Sequence, residues 1–180
     1  SRNSGNLGGA LYVSNSLPEV ANCVLAGNSA SLGGGAVYNA TGTWTAVNTV
    51  FWGNDSSIGA EIRVAGDSVT LVCCDIQDGV GGGKVFGTVN DGGNNLSADP
   101  RFADSKNGNF RLTSDSPLID VADGTAAPEL DADSNPAYDD PSHANANIGA
   151  PGYRDIGAFE RQGGPGIGGE IGRASCRERV

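Results

Sequence analysis

Apolar and polar positions alternate through the first half of the chain in short bursts, each closed by Gly or Asn, and the bursts recur at a nearly constant step. Gly8-Gly9-Ala10-Leu11-Tyr12-Val13 aligns with Gly34-Gly35-Ala36-Val37-Tyr38-Asn39 and then with Gly59-Ala60-Glu61-Ile62-Arg63-Val64. Leu11 to Val37 is 26 residues and Val37 to Ile62 is 25. A second landmark keeps the same steps. Asn22-Cys23-Val24-Leu25-Ala26-Gly27-Asn28 matches Asn48-Thr49-Val50-Phe51-Trp52-Gly53-Asn54, and Cys73-Cys74-Asp75-Ile76-Gln77-Asp78-Gly79 follows. Two landmarks sharing one period, each built of short strand patterns, describe the coil of a solenoid.

Side-chain parity assigns the faces. Ala21, Cys23 and Leu25 sit at alternate positions, as do Val47, Thr49 and Phe51, and then Val72, Cys74 and Ile76. Strand side chains alternate faces, so each trio is expected to point inward and stack on its counterpart ~4.8 Å away. Asn22, Asn48 and Cys73 are then expected on the opposite face. Parallel crossovers go right-handed almost without exception, so the expected fold is all-β, a right-handed single-stranded parallel β-helix of about three coils plus an irregular C-terminal cap. Asn3, Asn28 and Asn54 recur at one corner, where stacked amides can bond from coil to coil and Asn tolerates a positive φ.

These blocks resemble the repeats of bacterial polymorphic outer-membrane proteins and of the broader pectate-lyase-like β-helix superfamily. The resemblance lies in Gly-Gly-Ala plus an aliphatic, and in an apolar residue three before Asn (Leu25 to Asn28, Phe51 to Asn54). After Gly79 the recognisable repeat ends. The blocks Leu96 to Phe102, Gly108 to Leu112, Ser116 to Asp120, Asp131 to Pro136 and Asp155 to Glu160 then follow in an order that resembles the choice-of-anchor Q domain. Such a domain closes bacterial β-helix surface proteins ahead of a sorting or anchoring signal. The resemblance implies a secreted or cell-surface bacterial protein. The stretch Tyr138 to Tyr153 departs from the pattern.

The expected organisation is coils over 1–80, a cap segment over 81–162, and a Gly-rich tail over 163–180. A solenoid's last coil exposes core and strand edges, so Phe102, Phe110, Leu112, Leu118, Ile119, Ile156 and Phe159 are expected to plug that end. Glu170 to Val180 resembles the in-frame translation of a short-read sequencing adapter and is expected to take no part in the fold.

Composition narrows the partners. The 180 residues include 29 Gly and no Met, and the net charge is −10. That charge disfavours nucleic acid and anionic membrane surfaces. No apolar run is long enough to span a bilayer. A polysaccharide or cell-surface glycan is the expected partner, with the chain a monomer. Cys23 and Cys74 share a column two coils apart, ~9.6 Å, beyond disulfide reach, and Cys73 points elsewhere.

Candidate chemistry is sparse. Residues 1–80 hold six acids (Glu19, Asp55, Glu61, Asp67, Asp75, Asp78) and two bases, Arg2 and Arg63. Superfamily enzymes that cleave acidic polysaccharides need clustered carboxylates with calcium and a base, or paired Asp. Glu61, Arg63 and Asp75 are the residues that come nearest. His143, the single histidine, lies in a Pro/Asn/Asp-rich loop without a nucleophile motif. Asp131-x-Asp133-x-Asn135 offers three oxygen side chains at alternate positions, a spacing suited to Ca²⁺, although Pro136 stands where an EF-hand loop needs Gly. An Asx-rich turn gives the same sequence. The function expected is a non-catalytic surface module, serving as adhesin, stalk or glycan-contacting scaffold. The alternative is the C-terminal fragment of a polysaccharide lyase or glycoside hydrolase with its active coils upstream.

Overall fold

A computed structural model describes residues 2–163; the tail expected to be adapter-like lies outside them. The first coil holds β1 (Ser4–Leu7), β2 (Leu11–Val13), β3 (Glu19–Ala21) and β4 (Val24–Ala26). The second holds β5 (Ser29–Gly33), β6 (Val37–Asn39), β7 (Trp44–Val47) and β8 (Val50–Trp52). The third holds β9 (Asp55–Ser56), β10 (Ile62–Val64), β11 (Val69–Val72) and β12 (Asp75–Ile76). Equivalent strands pair in parallel, giving four stacked ladders: β1-β5-β9, β2-β6-β10, β3-β7-β11 and β4-β8-β12. The chain is a parallel β-solenoid.

The register is the one the spacing predicts. Leu11 pairs with Val37 and Val37 with Ile62, while Leu25 pairs with Phe51 and Phe51 with Ile76. Val37, Phe51, Ile62 and Ile76 are fully buried, and Leu25 packs against them. Burying each such side chain contributes on the order of 2 kcal/mol.

One third of the expected core faces the wrong way. Ala46 and Leu71 are fully buried in the core and Val20 packs on it, whereas Ala21, Val47 and Val72 turn outward and are only half-buried. Alternation fails because Asn22, Asn48 and Cys73 are left-handed, at φ 50°, 49° and 48°. A single αL residue bends the chain between two ladders and resets parity, so residues on either side of it no longer share a face. The Thr49 and Cys74 column stays inside as expected.

The asparagine corner holds, with a different backbone. Asn3 N donates to Asn28 Oδ1 at 3.0 Å, and Asn28 N and Nδ2 donate to Asn54 Oδ1 at 2.8 and 2.9 Å. The positive φ at this corner belongs to Gly27 and Gly53, not to the asparagines. The three described cysteines are unpaired.

Pairing runs on past Gly79 in shorter steps. The strands β13 (Val85–Phe86) and β14 (Val89–Asp91) extend the second and third ladders, and Leu96 bridges to Asp75. Then β15 (Phe102–Asp104) and β16 (Asn109–Leu112) form an antiparallel pair around a 3₁₀ turn, and irregular chain follows.

The C-terminal segment does not plug the last coil. Leu112, Leu118, Ile119, Ala122 and Ile156 cluster with Val50, and with Val24, Trp52 and Leu96 at the margin. Those partners are outward residues of the β4-β8-β12 ladder, so the segment lies along the flank of the stack. Val24 and Val50 make that face apolar, and the segment takes it out of water. The αL asparagines fasten the edge. Asp123 N donates to Asn48 Oδ1, Asn48 Nδ2 to Asp123 O, and Asn22 Nδ2 to Ala126 O, all at 2.8–2.9 Å.

Candidate functional site

The surface feature with the most chemistry is a column on the outer face of the β2-β6-β10-β13 ladder. Gly8, Gly34 and Gly59 sit at φ 65°, 67° and 58° and turn the chain sharply into β2, β6 and β10. A Cβ on Gly34 would lie 2.3 Å from the Val37 carbonyl oxygen, so no side chain is tolerated in that turn. The turn sets Leu11, Val37 and Ile62 inward and therefore Tyr12, Tyr38 and Arg63 outward. Register then continues the column to Phe86.

The Tyr12 and Tyr38 rings stack 5.5 Å apart and 8° from parallel. The Arg63 guanidinium lies 5.3 Å from the Tyr38 centroid, a cation–π contact. Arg63 Nη1 also donates to the Leu32 carbonyl at 2.6 Å, which locks the side chain across the coil. Tyr12 remains 52% exposed and Phe86 56%, so both ends of the column present aromatic surface to solvent. Pre-ordered aromatic groups of this kind lose little entropy on binding.

Beside the column, the outer face of β1-β5-β9 forms a shallow polar groove of about 660 Å³. Ser4 and Ser29 align with Asp55 across three coils, and Ser31 Oγ meets Asn6 Oδ1 at 3.3 Å. Hydroxyl, amide and carboxylate groups thus repeat at the ladder spacing next to an aromatic stripe.

The coil carboxylates singled out in the sequence lie elsewhere. Glu61 is fully buried where Ala36 sits one coil earlier, and it ends the asparagine ladder. Its Oε1 accepts from Asn54 N at 3.3 Å and its Oε2 from Asn54 Nδ2. Burial pushes Glu61 up to about 7 against the opposing pull of these bonds. Asp75, also fully buried, replaces Val50 in its column and accepts from Ala98 N at 3.0 Å; burial raises it to about 7. Neither carboxyl faces solvent, and Arg63 belongs to the aromatic column. The three do not assemble into one site.

The Asp131-x-Asp133-x-Asn135 segment is brought together as a turn. Asp131 Oδ1 accepts from Asp133 N and Asn135 N at 2.8 and 2.7 Å, and Oδ2 accepts from Glu160 N at 2.9 Å. Asp133 is held by Arg111 through two bonds of 2.6 Å. A cation would have to displace those donors and Arg111. Among the described residues, no three His, Cys, Asp or Glu side chains gather as a metal cage. His143 Nδ1 lies 3.6 Å from Asp140, which also pairs with Arg161 and accepts from Ser142 N and Oγ.

The flanking segment carries a buried charge network that the sequence did not signal. Arg154 and Glu160 pair at 3.3 Å with 6% of each side chain exposed. Asp155 accepts from Asp120 N and Arg161 N at 2.9 and 2.7 Å, and burial raises it to about 8. These residues scatter over 40 positions of irregular chain, so no spacing could mark them. Tyr12 and Tyr38, by contrast, share the 26-residue step and were open to detection. Among the described residues no helix is long and apolar enough to cross a membrane. No protein-family model matches the chain, and neither curated proteins nor solved structures give a match.

Proposed function

We propose that this chain is a non-catalytic glycan-contacting module of a secreted or cell-surface bacterial protein, using the Tyr12–Tyr38–Arg63–Phe86 column and the groove beside it. The observation that carries the reading is the column itself. It is an ordered stripe of aromatic and guanidinium groups running across four strands, open at both ends, with no packing role in the core. Sugar rings offer C–H faces to aromatic surface and hydroxyls to groups such as Ser29 and Asp55, and a polymer meets both at each coil. The buried state of Glu61 and Asp75 favours contact over turnover.

The extracellular assignment rests on the resemblance of the coils and of the Asp75 to Glu160 region to β-helix surface proteins of the choice-of-anchor Q type. The charge of −10 further selects the partner, because a polyuronate would be repelled and a neutral glycan would not. Affinity electrophoresis through gels containing neutral polysaccharides tests the reading. Retardation of the wild type and its loss in Tyr12→Ala plus Tyr38→Ala, at unchanged melting temperature, is expected. Mobility that no glycan alters, or that the double substitution leaves as it was, would remove the proposal.

A further inference from the structure

A second recess lies on another side of the molecule, where the flanking segment meets the coil corner at Ala21 and Asn22. It is a cleft of about 500 Å³, within the range of small-molecule sites. Ala127, Leu130 and Phe159 line its apolar wall, and Arg154 and Glu160 line it together as a polar pair. Its rim is anchored to the solenoid by the bond from Asn22 to the Ala126 carbonyl.

The polar pair is slack and incompletely bonded. Charge-assisted N–H···O contacts normally close to about 2.8 Å, but Arg154 Nη1 stands 3.3 Å from Glu160 Oε1 and Nη2 stands 3.3 Å from the Glu129 carbonyl. Arg154 Nε and Glu160 Oε2 are buried without a hydrogen-bond partner in the protein. A buried donor and acceptor left unmet destabilise the pair, so a small shift of either side chain toward a ligand that supplies one acceptor and one donor side by side is favoured. Charge narrows the choice. An anion entering the cleft meets the Glu160 and Asp131 carboxylates beside Arg154, since the Arg111 guanidinium over one face of Phe159 is already neutralised by Asp133, and a cation meets Arg154. A neutral group meets neither penalty.

We propose that this cleft binds a single neutral sugar unit, a vicinal diol bridging Arg154 and Glu160 while the ring's C–H face lies on Phe159 and Leu130. One hydroxyl accepts from the guanidinium and its neighbour donates to the carboxylate. The site is separate from the aromatic column, and neither depends on the other.

Amide and arginine Nε resonances followed by NMR during titration with neutral methyl glycosides, and with the matching uronates, test the proposal. At least one neutral glycoside should shift the Arg154 Nε and Ala127 signals at millimolar concentration, and its uronate should bind at least tenfold more weakly. Ala127→Trp fills the cleft from its wall without touching the polar pair. It should abolish the shifts while the melting temperature and polysaccharide retardation stay unchanged. Arg154→Lys removes Nε and should weaken binding roughly tenfold, about 1.4 kcal/mol. If that variant fails to fold, Ala127→Trp decides alone. Silence across the neutral panel, equal binding of uronate, or shifts that survive Ala127→Trp would overturn the assignment.

Discussion

The coils and the segment that flanks them differ in composition, the segment carrying most of the charge and nearly all of the proline, and they are held together differently. In the coils every strand finds its partner about 25 residues away, and the backbone ladders carry the order. Side chains there fill columns, Leu25–Phe51–Ile76 among them. In the flanking segment only β15 and β16 form a pair of strands, and order comes from scattered backbone bonds, such as Ala122 N to the Arg154 carbonyl, together with side chains reaching backbone. Asp120, Asp131 and Asp155 each accept main-chain N–H bonds, and Arg154–Glu160 is buried whole. Repetition lets one apolar residue per coil do what the irregular segment does with buried charge. The two regions should therefore fail under different insults.

The largest difference is expected from the core column. Phe51→Asp places a charge among Leu25, Ile76 and Ala46 and should cost several kcal/mol, enough to unfold both regions together. Circular dichroism during heating measures it. A variant melting like the parent would show that the column is misassigned.

Next in size is pH. Glu61 and Asp75 at about 7 and Asp155 at about 8 all lie above the ordinary carboxyl range near 4, so the folded chain holds protons that the unfolded chain has released. For an acid raised on folding, this stabilisation is full below about pH 4 and is lost as pH rises through 7 to 8. Melting should fall by roughly 5–10 °C between pH 5 and pH 8, on the order of a few kcal/mol. Asp75→Asn keeps an acceptor for Ala98 N and removes one buried charge, so it should flatten that slope and stabilise at pH 8. A slope that steepens, or stability that rises with pH, would contradict the burial of these groups.

The smallest effect concerns the Asp131 turn. Arg111 and Asp133 are partly exposed, so Arg111→Ala should cost under about 1 kcal/mol. In the parent, millimolar Ca²⁺ should raise the melting temperature no more than Mg²⁺ does, because Arg111 already occupies Asp133. A calcium-specific shift in the parent would mean that the turn opens to take the ion.

The same contrast explains what the sequence disclosed. Register was legible because ladders force one period, and Val37, Phe51 and Ile76 announce it. The inward face of β3, β7 and β11 was misread because nothing in the residue types says that Asn22, Asn48 and Cys73 are left-handed, Cys73 least of all. The final partial coil was hidden by shorter steps, 23 residues from Ile62 to Val85 and 21 from Asp75 to Leu96. Leu118, Ile119 and Ile156 were recognisable as buried, but their docking surface was not. Val24 and Val50 look like ordinary outward strand positions until a second layer covers them. The aromatic column lay in plain view in the Gly-Gly-Ala block, at the residue after the aliphatic one.

That docking surface can be broken without touching the core. Val50→Asp changes only an outward residue, and the same column already carries an aspartate at Asp75, so the coils can bear it. Backbone amide exchange, resolved by residue, should show Ala122, Gly124 and Ile156 losing protection while Val37, Phe51 and Ile62 keep theirs. Loss of protection in both regions at once, or in neither, would contradict a periodic stack with an irregular segment laid along its flank.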